Sequence, residues 1–375
     1  MTEISHVLED VTWRLMSLPN VVGVGRGYKT AGDVRTSTEC IMVLVKNKYP
    51  RGVLYAQAII PGEVRGIPTD VVEVGEIRFL VGGPGEVGET GAGMGTGMGT
   101  GAGTGSETGA GLGDRSGRQR RMRPAQPGAS IGHYQTTAGT FGAVVWDRRT
   151  GEPYILSCNH VLANATSGHD GRAKVGDPVV QPGAADGGTV ERDQIAVLER
   201  FVPIRMSGRV PPCLASRAAE RAFNSWLRVT GARAEVEIVP KLFLTSANIV
   251  DVALARPLNL YLVDTKILEL GEVQGVARPE LGMQVGKSGR TTRVTRGEIT
   301  SIDTTVSVVY SGNVTATFRD QILTGPMAEG GDSGSLLVDE DVRAVGLLFA
   351  GSDKSTIYNK ITNVTEALGV TFERP

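Results

Sequence analysis

The chain has 375 residues, 51 of them glycine, and 39 Lys and Arg stand against 40 Asp and Glu for a formal net charge of −1. That length exceeds one typical domain and can bury a sizeable core, while the balanced charge leaves no electrostatic footprint for nucleic acid or an anionic membrane. Cys40, Cys158 and Cys213 are far apart and lack a CxxC pair, so neither a disulfide framework nor a zinc knuckle follows.

Ile4, Val7, Leu8, Val11 and Leu15 keep helical spacing and predict a short amphipathic helix up to Leu18. Glu3, Glu9, Asp10 and Arg14 interrupt it, so it holds no signal-peptide core. No window approaches the roughly 18 apolar residues of a membrane span. The expectation is a soluble cytoplasmic protein without membrane or nucleic-acid partners. Val21 to Tyr28, Cys40 to Val45 and Val71 to Phe79 read as strands, which makes residues 1–80 a small α/β module. Gly23, Gly25 and Gly27 lack the third-glycine spacing and following helix of a phosphate loop.

Gly82 to Gly113 is a low-complexity tract with little to bury, so 81–128 reads as a flexible linker. Its end carries Arg115, Arg118, Arg120, Arg121 and Arg123, read as a solvated basic segment or an exposed processing site. Beyond it, many short apolar runs separated by Gly, Pro, Asp and Asn predict an all-β architecture over 129–375. They fall into two clusters, before about 255 and after about 275, as expected of two barrels. Leu214 to Val229 interrupts them with helix-forming composition, and Leu214, Ala218, Ala222, Trp226 and Val229 could share one apolar stripe of a helical insertion.

The chemistry centres on Glu329-Gly330-Gly331-Asp332-Ser333-Gly334-Ser335. Glycines before the serine permit a tight turn in which the amides of Gly331 and Ser333 converge on one point, as an oxyanion requires. Ser333 would be the nucleophile, and a serine hydroxyl needs a base and a group that orients the base. Of four histidines, His160 in Ser157-Cys158-Asn159-His160-Val161-Leu162 follows a strand and is held as a general base must be. His169 lies on a Gly/Ser-rich loop, and His160 with His169 forms no recognisable metal-ligand pattern. Asp251, flanked by apolar residues, is costly to bury unless paired, and a histidine Nδ1–H would satisfy it. Asp193 and Asp264 sit at more polar or less constrained places.

The order His160, Asp251, Ser333 on a two-barrel β pattern, with Gly-Asp-Ser-Gly around the serine, resembles the chymotrypsin/trypsin-like serine peptidases over roughly residues 130–375. The resemblance implies a mainly β fold, a double β-barrel peptidase domain behind the N-terminal α/β module. It makes Ser333 the nucleophile, His160 the acid/base, Asp251 the orienting carboxylate, and Gly331 and Ser333 the oxyanion donors. It assigns the substrate pocket to Met327, Phe349, Ala350, Gly351 and Thr356. Met327 stands where an acid would confer basic specificity, so a neutral, moderately apolar first subsite is expected. The histidine motif departs from Ala-Ala-His-Cys, and no secretory pro-peptide is visible to supply a freed N-terminus beside Asp332.

The N-terminal module, the linker and the phrases Gly66-Ile67-Pro68-Thr69-Asp70 and Gln181-Pro182-Gly183 look like an intracellular subgroup that includes bacterial proteins and plant Narrow Leaf-type trypsin-like proteins, which implies a homo-oligomer. The function expected is a serine endopeptidase acting on protein or peptide, latent or self-processing, with no metal or organic cofactor. The alternatives are a catalytically silent scaffold or binding protein on the same fold, and esterase activity or self-cleavage alone.

Overall fold

The computed structural model describes residues 3–32, 34–55, 58–80, 117–207, 221–225, 227, 230, 247–311 and 314–374. Helix α1 (Glu3–Met16) opens the chain. Strands β1 (Val21–Ala31), β2 (Val34–Val45), β3 (Glu63–Val64), β4 (Ile67–Glu73) and β5 (Arg78–Phe79) follow. The middle of the chain forms β6 (Ser130–His133), β7 (Gly139–Thr140), β8 (Ala143–Asp147), β9 (Pro153–Ser157), β10 (Pro178–Val180), β11 (Gln194–Phe201) and β12 (Ala253–Pro257). The remainder forms β13 (Gln284–Gly289), β14 (Arg293–Ser311), β15 (Val314–Thr324), β16 (Leu336–Asp339), β17 (Ala344–Gly351), β18 (Thr356–Lys360) and β19 (Val370–Thr371).

These strands make two curled sheets, the double-barrel, mainly β architecture expected from the resemblance. The first runs β19-β8-β9-β12-β11-β10-β6-β7. In the second, β13-β16-β17-β18-β15-β14 closes on itself because β13 also pairs with β14. The alternation of apolar residues decides what each barrel buries. Ile155, Ala253 and Leu198 point into the first, and Ile299, Leu337, Val345 and Tyr358 fill the second.

Strand β14 does two jobs along its length. Arg293–Glu298 pairs with β13 and closes the second barrel, whereas residues 301–306 pair with β1. The sheet thus continues from the barrel through β1, β2 and β4 to β3. Helix α1 covers this extension, burying Leu8, Val11 and Leu15 against Val24, Ile41 and Val43; each such side chain contributes about 1.5–3 kcal/mol. The glycines of β1 serve this close packing: a Cβ at Gly25 would lie 2.4 Å from Thr304 Oγ1.

Two stretches differ from the sequence reading. Val71 to Phe79 is not one strand. The β2–β4 ladder ends where Val74 N–H bonds to Val45 O at 2.9 Å, and Gly75, at φ +72°, turns the chain away. Only Arg78–Phe79 becomes extended again, on a different part of the sheet. The basic segment is only in part a solvated end of a linker: Arg120 and Arg121 are exposed, but Arg118 and Arg123 are not. Arg118 is buried, donating to Ser288 Oγ and Gly289 O at 2.8 and 2.7 Å and to Glu269 at 2.8 Å, while Arg123 binds Gln181 and Asp193 carbonyls. Guanidinium groups can be buried here because backbone carbonyls and a carboxylate take up their donors. Residues 117–128 therefore belong to the folded body. Gly82 to Gly113 lies outside the described residues, as does most of the expected helical insertion, of which 221–225 and 227 are helical. Among the described residues no helix is long and apolar enough to cross a membrane.

Candidate active site

Strand β9 delivers the chain into α2 (Asn159–Leu162), a single turn of helix that carries His160. Both are buried, so the imidazole has little freedom. Asp251 lies just before β12 and is fully buried. Its Oδ2 is 2.5 Å from His160 Nδ1, and its Oδ1 accepts the His160 backbone N–H at 3.2 Å. A carboxylate bonded this way holds the proton on Nδ1 and leaves Nε2 as the ring's acceptor. His160 Nε2 is buried and has no hydrogen-bond partner. Asp251 is itself gripped by Asn359 from β18: Asn359 Oδ1 accepts Asp251 N–H at 2.9 Å, and its Nδ2 donates to Asp251 O at 3.2 Å. Asp193 and Asp264 are engaged elsewhere, with Arg121 and Gln126.

Ser333 sits in the turn before β16, also fully buried. Thr140 N–H on β7 donates to Ser333 O at 2.7 Å, and Cys158 Sγ, just after β9, donates to Leu348 O on β17 at 3.1 Å, so the first sheet holds both the serine turn and the strand beside it. Ser333 Oγ donates to Phe349 O at 3.2 Å. Gly331 adopts φ +95°, where a side chain would be strained, and a Cβ there would lie 2.3 Å from Arg290 Nη1. Cys158, His160 and Asp251 offer ligand atoms within 4.8 Å of one another. Nδ1 is already committed to Asp251, and burial, followed by the Asp251 charge, holds the Cys158 thiol well above its ordinary pKa. A protonated thiol and an occupied imidazole nitrogen make a poor donor set for a cation.

The turn is held by a charge that the sequence reading did not find. Lys287, on β13, is fully buried with its Nζ 3.2 Å from Asp332 Oδ2. Asp332 Oδ1 also accepts the amides of Thr291 and Thr292 at 2.8 and 3.1 Å, and Oδ2 accepts Thr292 Oγ1 at 2.6 Å. Burial lowers the Lys287 pKa and Asp332 opposes that shift. Behind it, Arg290 forms a two-pronged pair with Asp186 at 2.6 and 2.5 Å, tying the second barrel to the first.

The expected pocket residues come together beside this turn. Met327, Phe349, Ala350, Gly351 and Thr356 are all buried, and Met327 N–H donates to Thr356 Oγ1 at 2.9 Å. Glu329, adjacent in sequence, is exposed. This chain's own β5 lies against these residues. Phe79 pairs antiparallel with Ala350 and Arg78 with Gly351. The Phe79 ring lies 5.1 Å from that of His160 and 6.2 Å from that of Phe349. Leu80 packs on the apolar cluster that includes Met327 and Tyr358, and its carbonyl accepts Gly331 N–H at 3.0 Å.

No protein-family model matches the chain, and no curated protein does. Solved structures of similar shape include a Nocardiopsis protease (17% identity, TM-score 0.39) and a Cellulomonas bogoriensis chymotrypsin (17%, 0.37). A glutamic-acid-specific serine protease is similar at 19% identity and TM-score 0.40. Each alignment covers 66% of this chain and 98% of the other. These likenesses are to peptidases with the two-barrel fold.

Sequence reasoning missed Lys287, Asn359, Phe79 and Leu80. Lys287 alternates with Val285 on a strand-like run, where an inward-facing lysine is a usable signal. Asn359 and the β5 segment carry none, because their roles depend on strand pairings far apart in the chain.

Proposed function

We propose that the chain is a trypsin-like-fold serine endopeptidase that cleaves protein or peptide through an acyl-enzyme on Ser333. The observation that carries this reading is the 2.5 Å contact of His160 Nδ1 with a fully buried Asp251, which leaves the buried Nε2 as the ring's unpartnered acceptor. His160 takes the Ser333 proton as Oγ attacks a peptide carbonyl, and returns it to the leaving amine. Water then releases the acyl group by the same route. The amides of Gly331 and Ser333 stabilise the oxyanion. Burial of Ser333, with the Gly331 amide already bonded to Leu80 O, supports a latent state. The cytoplasmic setting and self-association implied by the subgroup resemblance belong to the same reading, and the free, buried Cys40 and Cys158 suit a reducing compartment.

The test is labelling of the full chain by a fluorophosphonate serine probe beside Ser333→Ala and His160→Ala. Labelling should vanish in both variants, and peptide hydrolysis should fall by about 10⁶ in Ser333→Ala. Labelling that persists in Ser333→Ala sinks the assignment.

A further inference from the structure

Resting on that peptidase reading, we infer that the chain is its own first substrate: Ile77–Leu80 lies in the substrate groove with Leu80 in the first subsite, and Ser333 cleaves the bond on the C-terminal side of Leu80. Four independent contacts agree on one register. Arg78 and Phe79 add an antiparallel strand to the free edge at Ala350 and Gly351, the way an extended peptide is held by a sheet. The Phe79 side chain covers the His160 ring at 5.1 Å. One residue on, the Leu80 side chain joins the apolar cluster of Met327 and Tyr358, with its Cδ1 3.2 Å from where a Cβ on Gly351 would lie. The Leu80 carbonyl then receives the Gly331 amide at 3.0 Å, which is the bond an oxyanion donor makes to a carbonyl under attack.

The approach is built into the fold as well. Val309 N–H donates to Ile77 O at 2.8 Å, Ser352 Oγ donates to Val74 O, and Lys354 pairs with Glu73, so the segment after Gly75 is steered into the groove from both sides. Ile77 and Phe79 are buried there. A strand that merely packed would not need its carbonyl in the oxyanion position and its next side chain in a neutral pocket.

In the step proposed, Ser333 Oγ bonds to the Leu80 carbonyl carbon and its proton passes to His160 Nε2. The C–N bond to Val81 breaks, and that proton leaves with the Val81 amine. Water then adds to the acyl carbon, gives a proton to His160, and Ser333 recovers it as the Leu80 carboxylate forms. The net change consumes one water. The new C-terminus stays beside the site because β1 remains paired with β14 and β2 with β1. The same pocket makes external substrates with leucine at the first subsite the preferred class, over those with arginine or glutamate.

The experiment is intact mass of the full chain over time for wild type, Ser333→Ala and Leu80→Asp, with probe labelling and hydrolysis of chromogenic tetrapeptides ending in Leu, Arg or Glu. Wild type should split between Leu80 and Val81, Ser333→Ala should stay whole and unlabelled, and Leu80→Asp should stay whole yet label at least tenfold faster than uncut wild type. Leu80→Met should restore cutting. A wild type that remains uncut, or is cut elsewhere, while it or Leu80→Asp labels and hydrolyses peptide overturns this inference and leaves the peptidase reading standing. Absence of labelling and hydrolysis in every form overturns both.

Discussion

Lys287 Nζ stands 3.2 Å from Asp332 Oδ2, and neither side chain is exposed to solvent. This pair, not a freed N-terminal amine, fixes the carboxylate that shapes the serine turn. The turn is thereby preformed in the uncut chain, with Gly331 already bonded to a carbonyl.

Removing one partner of a buried pair leaves an uncompensated charge. Lys287→Met should therefore cost about 3–5 kcal/mol in denaturant unfolding. It should also lower peptide turnover by about 10²-fold or more, because the Gly331 amide loses its position. Unchanged unfolding and turnover in this variant would refute the role.

Asn359 holds Asp251 from behind with two hydrogen bonds and also donates to Leu347 O at 3.2 Å. Asn359→Ala strands buried polar groups, each costing about 1–3 kcal/mol. A carboxylate displaced by a fraction of an ångström orients His160 poorly, so kcat should fall about ten- to hundredfold with KM little changed. Equal falls in stability and no change in kcat would reduce Asn359 to a packing residue.

His133 gives the pH dependence. Its Nε2 lies 3.1 Å from Asp177 Oδ2, and its Nδ1 accepts Gln135 N–H at 3.3 Å, an arrangement that fits the neutral ring. Burial lowers its pKa, and Asp177 only partly opposes this. The unfolded chain binds a proton as pH falls through about 6.5 while the folded site does not. Stability is therefore lost on acidification across that window, down to the folded pKa. Thermal melts between about pH 7.5 and 5.5 should show a smaller loss for His133→Gln than for wild type; parallel curves would remove His133 as the cause.

Much of the site is legible in residue order. Ser333 between glycines, His160 at a strand end and Asp251 among apolar neighbours each announce a chemical need that the next one answers. The expectation of a neutral pocket at Met327 comes from the family resemblance, not from residue order. The alternation of short apolar runs likewise carries the two-barrel fold, because side-chain period reports which face is buried.

Other features depend on partners that no local pattern names. Arg118 looks like linker because its composition is basic, yet Ser288, Gly289 and Glu269 bury it from 150 or more residues away. Val71 to Phe79 reads as one strand because alternation does not register the turn at Gly75. Lys287 facing Asp332, Asn359 facing Asp251 and Leu80 facing Gly331 arise only when the second barrel closes. Sequence by itself determined the chemistry available, since residue type fixes what can donate, accept or attack. Tertiary structure alone decided which group meets which, because hydrogen bonds and ion pairs act over a few ångströms and only the closed sheets bring these distant residues that near.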